Sequence, residues 1–311
     1  MMQKGERHSR RGESPSHDNK LRRSSTLRRS PHTITYRPES ALRRPLQLFK
    51  QMGQDLVAAQ ELAWQLMIRD LSAKYRQSFL GFFWAFIPPV ILAIGFVVAK
   101  NSGVVNISPT TDLPYPAYIM FSMTLWQTFV EAINGPVQAV GAAKAMLSKI
   151  NFPYEALILA KLGEVCVNFA IKLLLIIGLF IWFRIPLHWS VIIAPVALIH
   201  LIILGTFLGL LIAPIGAIYQ DISMGLTLVT GIWLFITPVV YPMPTSGLFG
   251  SIVKLNPVTP LLVTTRELAI GSALSDPQGF WIVSLMSIVG LLIAWIIYRL
   301  GMPFVIERIS S

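Results

Sequence analysis

Apolar residues fill this chain in long unbroken stretches, and charge is confined to a few short intervals. Residues 77–99, 185–220, 222–253 and 277–298 contain no Asp, Glu, Lys or Arg. About 20 apolar residues cross the hydrocarbon core of a bilayer as a helix, so each window can hold a span. Two further stretches carry one charge apiece: residues 113–140 with Glu131, and residues 165–183 with Lys172. The pattern predicts an all-α integral membrane protein with six transmembrane helices. After the first, near residues 82–99, they enter near Pro116, near Tyr154, and over residues 189–212, 224–241 and 280–298.

A different periodicity precedes the first span. In residues 55–76, Trp64, Ile68, Leu71 and Tyr75 fall on one helical stripe. Gln65, Arg69, Ser72 and Arg76 form a polar stripe on one side, and Asp70 with Lys74 lies on the other. This spacing predicts an N-terminal amphipathic interfacial helix, its cations near lipid phosphates and its aromatic stripe in the acyl boundary. The bland alternative is a soluble helix packed on a partner. Immediately afterwards Pro88 and Pro89 interrupt the first span. Proline removes a backbone donor and clashes with the preceding turn, so a kink is expected there.

Two connecting segments have patterns of their own. The loop after span two reads GAAKAMLSKINFPYEALILAKLGE. Its helix-prone start, its Lys144 and Lys149, and the break at Pro153 predict a short helix parallel to the membrane. Docking against a cytoplasmic partner and an ordinary charged inner loop fit it equally. Residues 242–277 are apolar with little charge, yet Pro244, Gly247, Gly250, Pro257 and Pro260 break them up. The stretches 248–253 and 261–270 are too short to span and predict re-entrant outer helices between spans five and six, provided that protein or a cavity surrounds their backbone.

Charge then sets the orientation. Of the 26 Lys and Arg residues, 21 fall on one side of the six-span arrangement, and 12 of those lie in residues 1–45. Cytoplasmic segments carry the Lys/Arg excess, which puts both termini inside. Residues 1–45 also lack the apolar content to offset chain entropy and read as disordered. A basic arm touching anionic lipid, an uninstructive tail, and a start misassigned ahead of Met52 are the readings of it. The expected organisation is a basic arm over 1–50, the interfacial helix over 51–80 and the six-helix domain over 81–311. The lone cysteine, Cys166, allows no intrachain disulfide. The first 50 residues hold no apolar segment of the kind a cleavable signal needs.

Catalytic chemistry is hard to find. Gly-Lys occurs nowhere, so the phosphate-cradling P-loop pattern is absent. The five histidines lack ligand spacing with one another, and no paired-carboxylate or Ser-His-Asp grouping is visible. A conduit or scaffold is expected rather than an enzyme, with no metal and no cofactor in this chain. Intramembrane charges are costly and need an account. Glu131 and Lys172 lie at matching depths in spans two and three. They can form a buried pair, or Lys172 can snorkel to the headgroups. His200 reads as a hydrogen-bonded packing residue. Most aromatics suit the interfacial belt, but Phe82, Phe83, Trp84 and Phe86 in span one, with Trp126 and Phe129 in span two, are the best placed to stack on sugar rings in a passage.

The ordered series RDLSAKYRQSFLGFFWAFIPP, KINFPYE, AIYQDI, FITPVVYP and LNPVTPLLVTTRELAIG resembles the permease subunit of polysaccharide ABC transporters. These are the type-two exporters of O-antigen, teichoic acid and related lipid-linked glycans. The resemblance covers residues 55–311 and leaves out the basic arm. It implies a homodimer in the cytoplasmic (inner) membrane, served by two copies of a separate ATPase that binds ATP and magnesium. It also implies an undecaprenyl-pyrophosphate-linked glycan as cargo, with membrane lipid around it and no nucleic acid. By similarity, Lys144, Lys149, Asn151, Phe152, Pro153 and Tyr154 would contain the segment that meets the ATPase. Arg69, Lys74, Tyr75 and Arg76 would hold the pyrophosphate at the entrance. Asn256, Pro257, Arg266 and Glu267 would belong to an outer gate. An exporter of a small lipid or drug, a membrane glycosyltransferase and a purely structural membrane protein are the competing readings.

Overall fold

Every regular element among the described residues is helical. A bilayer core offers no water to the backbone, so a spanning chain must satisfy its N–H and C=O groups within helices or a closed barrel. The computed structural model describes residues 45–76, 79, 81–103, 113–147, 152–244 and 247–310. Its helices are α1 (Pro45–Arg76), α2 (Ile87–Asn101), α3 (Tyr115–Leu147), α4 (Glu155–Trp182), α5 (Ala194–Ile218), α6 (Asp221–Ile236), α7 (Gly247–Leu255), α8 (Val258–Ile270) and α9 (Pro277–Ser310). Four helical stretches are long and apolar enough to cross a membrane: Phe83–Asn101, Glu155–Trp182, Trp189–Ile218 and Pro277–Arg308. Helix α3 is long but carries more polar residues, and α6 is apolar but only 16 residues long. The chain is a multi-pass membrane protein.

The helix before the first span starts at Pro45, earlier than its amphipathic spacing indicated and inside the segment assigned to the basic arm. Residues 1–44 lie outside the described residues. Its apolar side is also divided. Met52, Ala59, Ala63, Leu66 and Met67 are buried, and α1 packs along α4. Val57, Trp64 and Ile68 lie on a second stripe and are exposed. Arg69, Ser72 and Arg76 occupy a third, exposed polar face. A helix with one side on protein, one apolar side outward and one wet side suits the edge of a bilayer.

The Pro88-Pro89 pair does not kink an α-helix already under way. Residues Gly81–Ala85 form a 3-10 turn, and α2 begins only at Ile87, so both prolines sit in its first turn. The first N–H groups of a helix have no partner within it, so proline costs little there. The prolines start the helix. Likewise, no separate parallel helix forms over residues 142–147, because α3 continues unbroken to Leu147. Its 33 residues extend roughly 50 Å, far beyond an about 30 Å hydrocarbon core. Residues 148–151 lie outside the described residues. Helix α5 likewise runs through Pro214 to Ile218, beyond the end expected near residue 212.

The core forms where α5 packs against α3 and α9. Small residues let these backbones approach closely, as is common between membrane helices. A Cβ added at Gly205 would lie 2.8 Å from the Ala132 Cβ and 2.9 Å from the Phe129 carbonyl oxygen. One added at Gly209 would run into the Ile133 carbonyl. Helix α8 lies against α5, α9 and α3, and most of its residues are buried.

Candidate functional site

Four polar residues recur on α4 at spacings of three and four: Lys161, Glu164, Asn168 and Lys172. That spacing puts them on one face, and the face is turned to α1 and α3. Glu131 comes from the middle of α3. Lys172 Nζ donates to Glu131 Oε1 at 2.6 Å, and Asn168 Nδ2 donates to Glu131 Oε2 at 3.2 Å. The Tyr75 hydroxyl of α1 donates to Asn168 Oδ1 at 2.8 Å. Lys172 is 1% exposed, whereas the Glu131 side chain keeps 32%. The ammonium is therefore sealed in protein while the carboxylate faces open space.

That space is a cavity of about 420 Å³, lined by Lys74, Tyr75, Gly81, Trp84, Ala85, Pro88, Gln127, Val130, Glu131, Asn168 and Lys172. A second hollow of about 230 Å³ adjoins it, sharing Lys74, Glu131 and Asn168 and reaching Asn134, Gln138, Lys161 and Glu164. The first falls in the range of about 300–1,000 Å³ usual for small-ligand sites. Local structure explains its shape. The 3-10 turn and the late start of α2 hold Trp84 and Pro88 to one side, so α1 and α2 do not close over α3 and α4. Burial, reinforced by the Glu131 and Glu164 carboxylates, pushes the Tyr75 phenol above its ordinary pKa. It stays a neutral donor.

The cations here are already engaged. Lys74 Nζ donates to Glu164 Oε1 at 3.4 Å, and Lys161 Nζ to Glu164 Oε2 at 2.7 Å. Lys161 also lies 3.3 Å from Asp70, which Arg69 contacts from α1 at 2.8 Å. With carboxylates matching ammonium groups, the cavity favours neutral hydroxyl-bearing groups over a bare anion. Trp84 adds an apolar face, and Gln127, Asn168 and Tyr75 add hydrogen-bonding groups.

Of the four residues expected at the entrance, Lys74 and Tyr75 line the cavity. Arg69 and Arg76 do not; both lie on the wet face of α1. Among the aromatics, Trp84 lines it, Phe83 is exposed, and Phe86 is half-buried with an edge contact to Phe83. The Phe82 side chain lies outside the described residues. Trp126 and Phe129 are buried and pack on Trp233 of α6, with ring centroids at 6.4 Å and 5.5 Å. They are core residues in this conformation and do not face an open passage. Of the α4 stripe the sequence reading singled out Lys172 as a partner for Glu131, whereas Lys161, Glu164, Asn168 and Gln127 escaped it, although the three-four spacing of polar residues inside an apolar window was the available signal.

Of the four residues expected at an outer gate, Asn256 and Arg266 latch onto Thr237 and Pro238. Asn256 Oδ1 accepts from Trp233 Nε1 at 3.0 Å and from the Val258 amide at 3.1 Å, and its Nδ2 donates to Thr237 Oγ1 at 2.8 Å. Pro257 caps α8. Arg266 is buried. It donates to Ser122 Oγ at 3.0 Å and to the Pro238 carbonyl at 3.2 Å, and lies over the Tyr118 ring. Glu267 accepts from the Ser275 amide at 2.9 Å and from its hydroxyl.

At the inner loop, Lys144 lies in the last turn of α3, and Phe152, Pro153 and Tyr154 lead into α4, which starts at Glu155. Lys149 and Asn151 lie outside the described residues. Arg299 of α9 donates to Glu155 Oε1 at 3.0 Å and to Asp55 of α1. His200 bonds the Val196 carbonyl through Nδ1 at 2.8 Å and meets the edges of Phe280 and Trp281.

The family model of the ABC-2 type transporter matches residues 61–270. The chain belongs to that family. The match runs from inside α1 to the end of α8, so every residue lining the cavity falls within it. ABC-2 membership makes the chain a transporter permease, not an enzyme, and implies association with an ATP-binding subunit. Curated relatives agree. The O-antigen export system permease protein RfbA of Myxococcus xanthus is 24% identical over 231 residues, 72% of this chain and 86% of that protein. Two Klebsiella pneumoniae proteins of the same name are 20% and 21% identical over 213 residues, 67% of this chain and 79% of theirs.

Proposed function

We propose that this chain is the permease of an ABC exporter that moves a lipid-linked polysaccharide across the cytoplasmic membrane. ATP is hydrolysed, with magnesium, in a separate subunit. The observation that carries the reading is the cavity between α1, the 3-10 turn, α3 and α4, within a chain whose relatives are named for O-antigen export. Its amide, phenol and carboxylate groups and the Trp84 face suit sugar hydroxyls and C–H faces. Lys74 lines it, and Arg69 and Arg76 lie on the exposed face of the same helix, on the side where a pyrophosphate headgroup would arrive. Phosphate recognition by Lys74 would displace its present pairing with Glu164.

The six spans are residues 83–101, the first two-thirds of α3, α4, residues 189–218, α6 extended to residue 241, and α9. Helices α7 and α8 re-enter from the outer face, and both termini are cytoplasmic. Two copies form the glycan path, and two ATPases meet the segment from Lys144 to Tyr154. The basic arm, the interfacial helix and the six-helix domain are the three parts of the chain, with the arm ending where α1 begins.

Deletion of the gene in its host tests the reading. Surface polysaccharide should be lost, lipid-linked glycan should accumulate inside, and a plasmid copy should reverse both. Unchanged surface glycan together with cellular retention of a small amphiphile would support a drug or lipid exporter instead. If protein carrying neutral residues at 69, 74 and 76 accumulates normally and exports at the wild-type rate, those cations are not on the substrate path.

A further inference from the structure

A second, almost wholly apolar cavity lies elsewhere in the bundle. A groove of about 540 Å³ opens between α3, α4 and α5 at the end of the bundle away from α1. Phe121, Leu173, Ile177, Phe180, Val191 and Leu198 are among its walls, and Arg184 stands on its rim. Its residues along α4 and the turn that ends it run from Phe169 to Arg184. That is roughly 22 Å, more than the about 15 Å depth of one leaflet's hydrocarbon.

The rim is built at headgroup level. Trp182 and Trp189 flank Arg184 in sequence and are exposed, at 82% and 76%. Tryptophans in that setting mark the membrane–water boundary. Arg184 closes α4 with φ of 52°, and the Ile185 amide bonds the Phe180 carbonyl at 2.9 Å. Glycine is the usual residue at that left-handed position. An arginine occupies it, and among the described residues no carboxylate lies within ion-pair distance of its guanidinium. An apolar groove deep enough for a hydrocarbon chain, with an unmatched cation at the phosphate plane, is complementary to one class of molecule.

We propose that this groove binds a phosphate-headed lipid, its tail lying along α4 and its phosphate against Arg184. The site is separate from the polar cavity and needs no assumption about the exported cargo.

The test uses the full-length protein in detergent micelles with phosphatidylglycerol carrying a photoreactive tail. Crosslinks should concentrate in residues 173–181 and 191–198. A diacylglycerol with the same tail should label them about fivefold less, the contribution of one surface cation to holding an anionic lipid. Soluble glycerol phosphate should not compete, which separates a lipid from a free phosphate. Arg184→Gln should reduce groove labelling by a similar factor, and Leu173→Trp should abolish it by filling the groove. Arg184→Lys should retain most of it, and labelling of residues 281–293 should stay unchanged throughout. Equal labelling of groove and α9, meaning annular lipid only, would overturn the proposal. So would indifference to both Arg184→Gln and Leu173→Trp. An unlabelled groove in a chain that migrates as a dimer would show a second copy there and overturn it equally. Because the readout is crosslinking, failure leaves the export reading standing, and loss of the export reading leaves this site intact.

Discussion

Replacing Glu131 by Gln removes the anion that sits 2.6 Å from the Lys172 ammonium, while Lys172 itself remains 1% exposed. A buried charge deprived of its partner typically costs about 3–5 kcal/mol. The introduced glutamine can still offer its amide oxygen to Lys172, so the lower end, about 3 kcal/mol, applies. The reverse change, Lys172→Met, is milder. Its methylenes fill the lysine's place, and Glu131 keeps a third of its side chain exposed to the cavity and its bond from Asn168. About 1–2 kcal/mol is expected for it, nearer to a partly solvated pair. The double variant Glu131→Gln with Lys172→Met contains no charge to strand. It should cost no more than about 1 kcal/mol, because neutral replacements of a buried pair are often tolerated. The double-mutant cycle should therefore show a coupling of at least about 3 kcal/mol, at the upper end of the range for contacting residues. Reversible unfolding of the purified protein in mixed micelles measures all four states. The signature is an order: Glu131→Gln is the least stable, and the double variant recovers most of the loss. If the singles are equal and the double is their simple sum, the two groups do not form the pair seen here, and the asymmetric burial argument fails.

Three further outcomes follow from other contacts. Trp84→Ala should lower glycan export several-fold at unchanged protein level, because Trp84 lines the polar cavity, whereas Phe83→Ala should not; equal effects on a surface-glycan assay would remove Trp84 from the cargo path. Gly209→Ala drives a Cβ into the Ile133 carbonyl and should cost about 1–3 kcal/mol as overpacking does, while Gly225→Ala, with nothing nearby, should leave the thermal midpoint in detergent unchanged. Asn256→Leu strands the Trp233 indole N–H and the Val258 amide, while the Thr237 hydroxyl keeps its bond to the Trp233 carbonyl, so a loss of about 2–3 kcal/mol is expected; a midpoint within about one degree of wild type would show that the latch is not needed.

The sequence shows where each helix lies more readily than which way it faces. Charge-free windows located the apolar helices because the bilayer demands both length and apolar character. The faces of α1 were harder. Its Trp64–Ile68 stripe has the stronger periodicity, yet Ala59, Ala63 and Leu66 are the residues that α4 covers. Small side chains score weakly in a hydropathy pattern, but they are what close helix packing selects. The prolines misled for a related reason. Pro88 and Pro89 stand inside a charge-free window, so they looked internal to a helix, but the window contains a 3-10 turn and the helix starts with them. Hydropathy does not register that boundary, although proline's preference for the first helical turn does. Arg266 shows a third limit. By position it looked like an outer cation, and only the fold supplies Ser122, the Pro238 carbonyl and the Tyr118 ring that let it be buried.

The polar residues of the bundle gather in a few layers, and the layers are joined through α1 and α4. The cavity ties Lys74 and Tyr75 to Glu164 and Asn168. Closer to the inner loop, Arg299 joins Glu155, the first residue of α4, to Asp55 of α1, while the Tyr298 hydroxyl reaches the Tyr154 carbonyl at 3.5 Å. Helix α1 is therefore held to α4 by charge at two points, Asp55 and residues 70–75, with an apolar seam of Ala59, Ala63, Leu66 and Met67 between them. Close packing along this seam and charged contacts near both ends oppose sliding of one helix past the other. Residues 152–154 connect directly to this unit. A displacement of residues 152–154 is therefore expected to carry α1 and α4 together towards the cavity wall.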